Sequence, residues 1–282
     1  MSLATFTLSA FGDEIDPDLQ QQLQVLRNLN IGHLELRSAW GKNVLQMDDT
    51  EVDRVYLLCK EMGVAVSCIG SPVGKSPIST PIEQEVSNLS RMFHIASKVG
   101  THLIRVFSFY PPDTSSNTRY DEYVTEAAER LARLTGMAEH EGFLLLLENE
   151  KEIVGDVPER CQAIVSSIES PHLRFLWDPA NFVQVGVAET TEQGWPLLGQ
   201  YVHYVHVKDA LLADGSVTTA GEGDGQVREL LSRLRECGYR GFLSVEPHLE
   251  GGSDSMERAV TSIRRLLVEG GYTETDIPGT DS

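Results

Sequence analysis

The sequence predicts an α/β protein built as a single (β/α)8 barrel, and three observations predict it. Apolar strand patterns and amphipathic helix patterns alternate from end to end in eight successive pairs. Several of the strands, such as Leu144-Leu145-Leu146-Leu147, are short apolar runs, as expected for parallel strands covered on both faces. Connections from helix to strand are short and those from strand to helix are long, the asymmetry of barrels whose working face lies at the C-terminal ends of the strands. At 282 residues the chain is long enough for one such barrel, and no linker or composition break divides it.

The elements follow in order. Residues 5–11 alternate as a first strand, and Asp16-Pro17 caps a helix to about Leu29. A second strand covers 31–36, and a second helix runs from Asp49 or Thr50 to Met62, stopped by Gly63. The third strand covers 64–69. Thr80-Pro81-Ile82-Glu83 has capping-box spacing and opens a helix reaching Val99-Gly100. Strand four covers 103–107, a long helix 121–140, strand five 143–147 and helix five 157–168. Strand six begins at Leu173, a short helix covers 193–198, and strand seven begins at Val202. A helix over 226–237, strand eight over 242–245 and a closing helix over 253–269 complete the pattern. Residues 110–117 read as a rim or lid segment, and 270–282 as a polar tail with no core to join.

Composition narrows the partners. With 23 basic and 42 acidic residues the net charge is −19, a field that repels nucleic acid phosphates and anionic membranes and suits a small neutral or metal-chelated substrate. Cys59, Cys68, Cys161 and Cys237 are scattered without a CxxC pair, as for reduced thiols in a cytoplasm. No apolar run approaches the roughly 18 residues of a membrane span, and Met1-Ser2-Leu3 leads at once into a strand pattern. The expectation is a cytoplasmic protein with no membrane and no nucleic-acid partner.

Chemistry concentrates at strand ends. Strands five to eight run into Glu148, Asp178, His206 and Glu246. A charge at the end of a buried strand needs a metal, a partner or water, because desolvating it costs several kcal/mol or more. Singly, each is an ordinary polar strand terminus; together, three carboxylates and an imidazole converge at one barrel mouth and suit a divalent ion. Period-two alternation turns Tyr204 and His206 inward and His203 toward the helices, which selects His206 as the ligand.

These residues carry a resemblance. Glu148-Asn149, Asp178-Pro179-Ala180-Asn181, His206-Val207-Lys208-Asp209, Gly221-Glu222-Gly223-Asp224 and Glu246-Pro247-His248 together resemble the xylose-isomerase-like TIM-barrel superfamily of sugar isomerases and epimerases. The likeness extends over nearly the whole chain, from Phe11-Gly12-Asp13-Glu14 to strand eight. It implies one divalent ion, Mn, Mg, Co or Zn, held by Glu148, Asp178, His206 and Glu246, a sugar or polyol substrate, and homo-oligomers. The superfamily also includes inosose dehydratases, hydroxypyruvate isomerases and type IV endonucleases. The three-metal endonucleases need further histidines; position 181 here is Asn and residues 209–225 contain no His, so DNA cleavage is not expected.

The constellation suits proton transfer beside a carbonyl. An ion chelated by a ketose carbonyl and an adjacent hydroxyl stabilises the enediolate, and Glu148 and Glu246 exchange the C–H proton as base and acid. Expulsion of a β-hydroxyl at the same site gives a dehydratase, the nearer alternative; a sugar-binding barrel without catalysis is the third. Lys208 shares the inward face of His206 and either holds a substrate oxygen or lies at the surface. Asn181 and Glu222 resemble family positions near substrate, and His248 follows Glu246 by two residues toward the mouth. Arg105 and Arg37 either grip substrate oxygens or pair with Glu35 and Glu14. The glycines of 221–225 offer N–H groups to a phosphate, although two acids in the same turn argue against an anion there. Trp40, Trp177, Phe107 and Tyr110 are aromatics available to a sugar face.

Overall fold

A computed structural model describes residues 4–112, 119–249 and 254–275. Eight parallel strands close on themselves: β1 (Thr5–Phe11), β2 (His33–Leu36), β3 (Ala65–Ile69), β4 (Leu103–Val106), β5 (Leu144–Glu148), β6 (Leu173–Trp177), β7 (Val202–Val207) and β8 (Phe242–Val245). Closure is made by β8 against β1, with Thr7 opposite Phe242 and Ala10 opposite Val245. The helices between them are α1 (Leu19–Asn28), α2 (Asp49–Met62), α3 (Ile82–Val99), α4 (Val124–Glu141), α5 (Pro158–Ser167), α6 (Pro179–Gln184), α7 (Thr190–Leu198) and α8 (Val227–Glu236), and α9 (Ser255–Glu269) follows β8.

Local chemistry sets most boundaries. The Asp48 side chain accepts from the Glu51 N–H while Glu51 reaches back to the Asp48 N–H, so α2 starts with a capping box, and Gly63 ends it at φ 63°. Helix α1 is capped by Asp18 rather than Asp16, since the Asp18 carboxylate accepts from the Gln20 and Gln21 N–H groups. Helix α3 begins at Ile82 with no side-chain cap, so the box expected at Thr80 does not form. Short elements that carry no periodicity also appear: α6, a hairpin of Ser38–Ala39 with Lys42–Asn43, and a second of Asp209–Ala210 with Val217–Thr218.

The segment after α9 departs from the expected free tail. Thr273–Glu274 pairs in parallel with Thr5 and Phe6 of β1, the Tyr272 ring meets Phe6 edge-on, and Arg264 pairs with Glu274 at 2.8 Å. Burying Tyr272 against β1 gives this segment the apolar contact that its polar composition hid. Residues 276–282, and residues 113–117 of the expected rim segment, lie outside the described residues.

The main apolar core lies between strands and helices. Inside the barrel, Cys68, Leu103, Leu146, Leu176, Tyr204 and Phe242 form a smaller cluster. One step higher, hydroxyls bridge across the barrel, Ser9 to Ser67 at 2.7 Å and Ser67 to Tyr204 at 3.0 Å. Strand alternation then lifts the next inward residues, Arg105, Glu148, Asp178, His206 and Glu246, onto the C-terminal face.

Candidate metal centre

Glu148, Asp178, His206 and Glu246 are all buried, and one donor atom from each lies within 4.8 Å of the others. Nδ1 of His206 stands 3.0 Å from Glu148 Oε1 and 3.8 Å from both Asp178 Oδ2 and Glu246 Oε2. Asp178 is fixed twice: its Oδ1 caps α6 by accepting from the Asn181 N–H, and its backbone exchanges two hydrogen bonds with the Asn149 side chain at 2.8 and 2.9 Å. These bonds tie the ends of β5 and β6 and set the spacing of two carboxylates.

Cations hold the carboxylates apart. The Lys208 ammonium bridges Asp178 at 2.7 Å and Glu246 at 2.9 Å. Arg37 binds Glu246 at 2.7 Å, takes Asp13 through two nitrogens and also pairs with Glu14, while its guanidinium covers the Phe11 ring at 4.5 Å. Arg105 pairs with Glu148 at 3.2 Å and donates to the Gly70 and Ser71 carbonyls. On the far side of His206, Nε2 lies 3.3 Å from each oxygen of Glu35, which is completely buried.

Charge states follow. Burial pulls the His206 imidazole toward neutrality, but Glu148 and Glu35 outweigh it and hold the group well above the usual histidine range. Burial likewise pushes Glu246 up, and Lys208, His206, His248 and Arg37 reverse this to well below the carboxylate range. Glu148 is lowered against its burial by His206 and Arg105. Lys208 stays protonated, since Asp178 and Glu246 overcome its desolvation.

Among the other candidates, Asn181 joins the cluster. Its Nδ2 donates to the Asn149 carbonyl at 2.9 Å and lies 3.5 Å from Glu148 Oε1, and its buried Oδ1 has no hydrogen-bond partner. His248 stands at the mouth, half-exposed, 2.8 Å from Glu14; Glu14, Glu246 and His248 also bring one donor atom each within 4.8 Å. Glu222 is not brought to the centre: its carboxylate pairs with Arg265 of α9 at the surface. The surrounding glycine loop does wrap an anion, but that anion is Asp209, which accepts from the N–H groups of Gly221, Gly223 and Gly225. Trp177 packs among Phe175, Phe182 and Trp195, and Trp40 lies under Arg54, so neither faces the centre; Phe107 does, beneath Arg105 and Lys75.

Two residues escaped the sequence reading. Glu35 was read only as a possible arginine partner, with no sign that it meets His206 on β7, and Asn149 only as the residue after Glu148 in the resemblance. The donor set fits a divalent ion. Three carboxylates and an imidazole converge, all of them buried, and Glu148 Oε2 and Asp178 Oδ2 lack a well-aligned hydrogen bond although Arg105 and Lys208 stand beside them.

Comparison with known proteins agrees with this fold. The family model described as xylose isomerase-like TIM barrel matches residues 23–267. A 2-epi-5-epi-valiolone 7-phosphate 2-epimerase of an Actinoplanes species is 31% identical over 153 residues, 52% of this chain and 51% of that protein. The chain spans about half the length of the curated relatives it matches. A D-tagatose 3-epimerase-like protein superposes with a TM-score of 0.72 at 20% identity, covering 94% of this chain and 97% of the other. A barrel protein from Mycobacterium smegmatis in complex with magnesium gives 0.72 at 16% identity, with 94% and 97% covered. Among the described residues no helix is long and apolar enough to cross a membrane.

Proposed function

The chain belongs to the xylose isomerase-like TIM barrel family, and from that premise we propose that it is a divalent-metal-dependent isomerase or epimerase of a sugar or sugar phosphate. The observation that carries the reading is the convergence of Glu148, Asp178, His206 and Glu246 within 4.8 Å at the strands' C-terminal mouth. A divalent ion held by these four would supply Lewis-acid stabilisation of negative charge developing on a carbonyl oxygen.

The protein's own groups do the rest. Glu148 and Glu246 are both held below the ordinary carboxylate range, so each is ionised and ready to accept a proton. One takes the proton from the carbon next to the carbonyl, the C–H electron pair moves toward the carbonyl, and charge accumulates on oxygen. For an isomer the glutamate that took this proton returns it to the neighbouring carbon, with a hydroxyl proton passing between the two oxygens; for an epimer the other glutamate first takes up a proton from solvent and delivers it to the opposite face. Lys208 is held in its charged form, which makes it a donor to substrate oxygens and not the base. Arg37 and Arg105 anchor Glu246 and Glu148 so that each carboxylate keeps one orientation.

The test is solvent deuterium incorporation into a panel of ketoses and inososes with Mn²⁺. Glu148→Gln and Glu246→Gln should each abolish exchange, with folding checked by circular dichroism. Undiminished exchange in both variants removes the two glutamates from the chemistry, and release of water from the substrate marks a dehydratase instead.

A further inference from the structure

Resting on that reading, we propose that Glu150 makes the mouth select a neutral polyhydroxy carbonyl compound over its phosphate ester. Glu150 follows Glu148 by two residues in the loop after β5, and its side chain is only 14% exposed. Its Oε2 binds the Lys75 ammonium at 2.8 Å, and its Oε1 lies 3.8 Å from that of Lys151. Lys75 in turn sits 4.4 Å over Phe107, the ring that Arg105 also covers, which places the pair at the edge of the ligand cluster. A phosphate arriving here needs an unopposed cation, and Glu150 pairs closely with Lys75 and stands beside Lys151, whose ammonium also donates to Gln184 Oε1 at 3.3 Å.

Among the described residues, the arginines and the other lysine of the cluster already have carboxylate partners. Arg37 pairs with Asp13, Glu14 and Glu246, Arg105 with Glu148 and two carbonyls, and Lys208, the donor to substrate hydroxyls, with Asp178 and Glu246. The glycine loop that offers backbone N–H groups is closed on Asp209. Residues 113–118 and 250–253, which follow strands four and eight in the chain, contain no lysine or arginine. Selection therefore works by exclusion: a dianion meets the Glu150 carboxylate with Lys75 already paired to it, whereas hydroxyls can share these groups as donors and acceptors without a charge conflict.

The experiment pairs D-fructose with D-fructose 6-phosphate and D-ribulose with D-ribulose 5-phosphate in the exchange assay on the Mn²⁺-loaded protein. Inorganic phosphate and xylitol are titrated calorimetrically in parallel. The wild type should favour the free ketose, and Glu150→Gln should shift the ratio of kcat/KM about tenfold toward the ester and bring out phosphate binding that the wild type lacks. Adding Lys75→Met to Glu150→Gln should cancel the gain, which a merely loosened loop would not do. Preference of the wild type for the ester, or an unchanged ratio in Glu150→Gln, overturns the proposal while leaving the isomerase reading intact. If no ketose exchanges, that reading fails, and calorimetry alone decides: phosphate binding that appears in Glu150→Gln supports exclusion by Glu150, and its failure to appear overturns it.

Discussion

Replacing Glu35 by Gln should weaken divalent-ion binding about 10- to 100-fold without unfolding the barrel. Both Glu35 oxygens lie 3.3 Å from His206 Nε2, so the ring keeps its proton on that side and presents Nδ1 to Glu148, Asp178 and Glu246. Two unit charges 3.3 Å apart attract by about 5 kcal/mol at an effective dielectric of about 20. Most of that is cancelled by the cost of burying both groups. The residue left over is the advantage of a correctly oriented, more basic imidazole, about 1.4–2.8 kcal/mol, which is the stated loss in affinity. Calorimetric titration of Mn²⁺ into the ion-stripped protein measures it, with thermal melting to show that the variant is folded. An affinity within threefold of wild type in a folded Glu35→Gln protein would refute the claim that Glu35 sets the ring.

The other predictions concern the same charges. Lys208→Met leaves Asp178 and Glu246 facing each other without their bridging ammonium. It should destabilise the ion-free protein by about 3–5 kcal/mol, with Mn²⁺ restoring most of the loss in a melting experiment; equal melting temperatures with and without the ion would contradict this. Asp209→Ala strips the acceptor from the Gly221, Gly223 and Gly225 N–H groups, which should cost about 2–4 kcal/mol in urea unfolding and speed hydrogen exchange in that loop. Stability of the ion-free protein should also be bounded on both sides in pH. Glu148 and Glu246, lowered from 4.5, contribute above that value and lose their contribution as pH falls through their depressed pKa values. His206, raised from 6.5, contributes fully below that value and loses it as pH climbs through its elevated pKa. Ion binding must displace the His206 proton, so calorimetry in buffers of different ionisation enthalpy should record proton release.

The barrel was legible because its strands and helices carry long periodic patterns, and the convergence of Glu148, Asp178, His206 and Glu246 because four apolar runs end in them. What stayed hidden depends on contacts between distant strands. Glu35 meets His206 across 171 residues, and a lone acid in a strand does not name its partner. The alternatives for the arginines separated only in three dimensions: Arg37 does pair with Glu14, but Arg105 takes Glu148 and leaves Glu35 to the imidazole. The loop around Glu222 resembled a substrate-contacting segment, yet Asp209 gathers its glycine N–H groups and the Glu222 side chain is left to Arg265. Two-residue strands such as Thr273–Glu274 are too short to show any period.

That last pairing bears on how the molecule is assembled. Thr7 meets Phe242, and Thr5 meets Thr273, so β1 leaves the ribosome long before the segments that cover this flank. Until then the nascent cylinder has a ragged seam, with backbone groups of β1 open to any passing strand. Thr273–Glu274 acts as a clasp over that seam, and shortening the polypeptide ahead of Tyr272 should slow refolding and favour aggregation while leaving Glu148, Asp178, His206 and Glu246 in the chain.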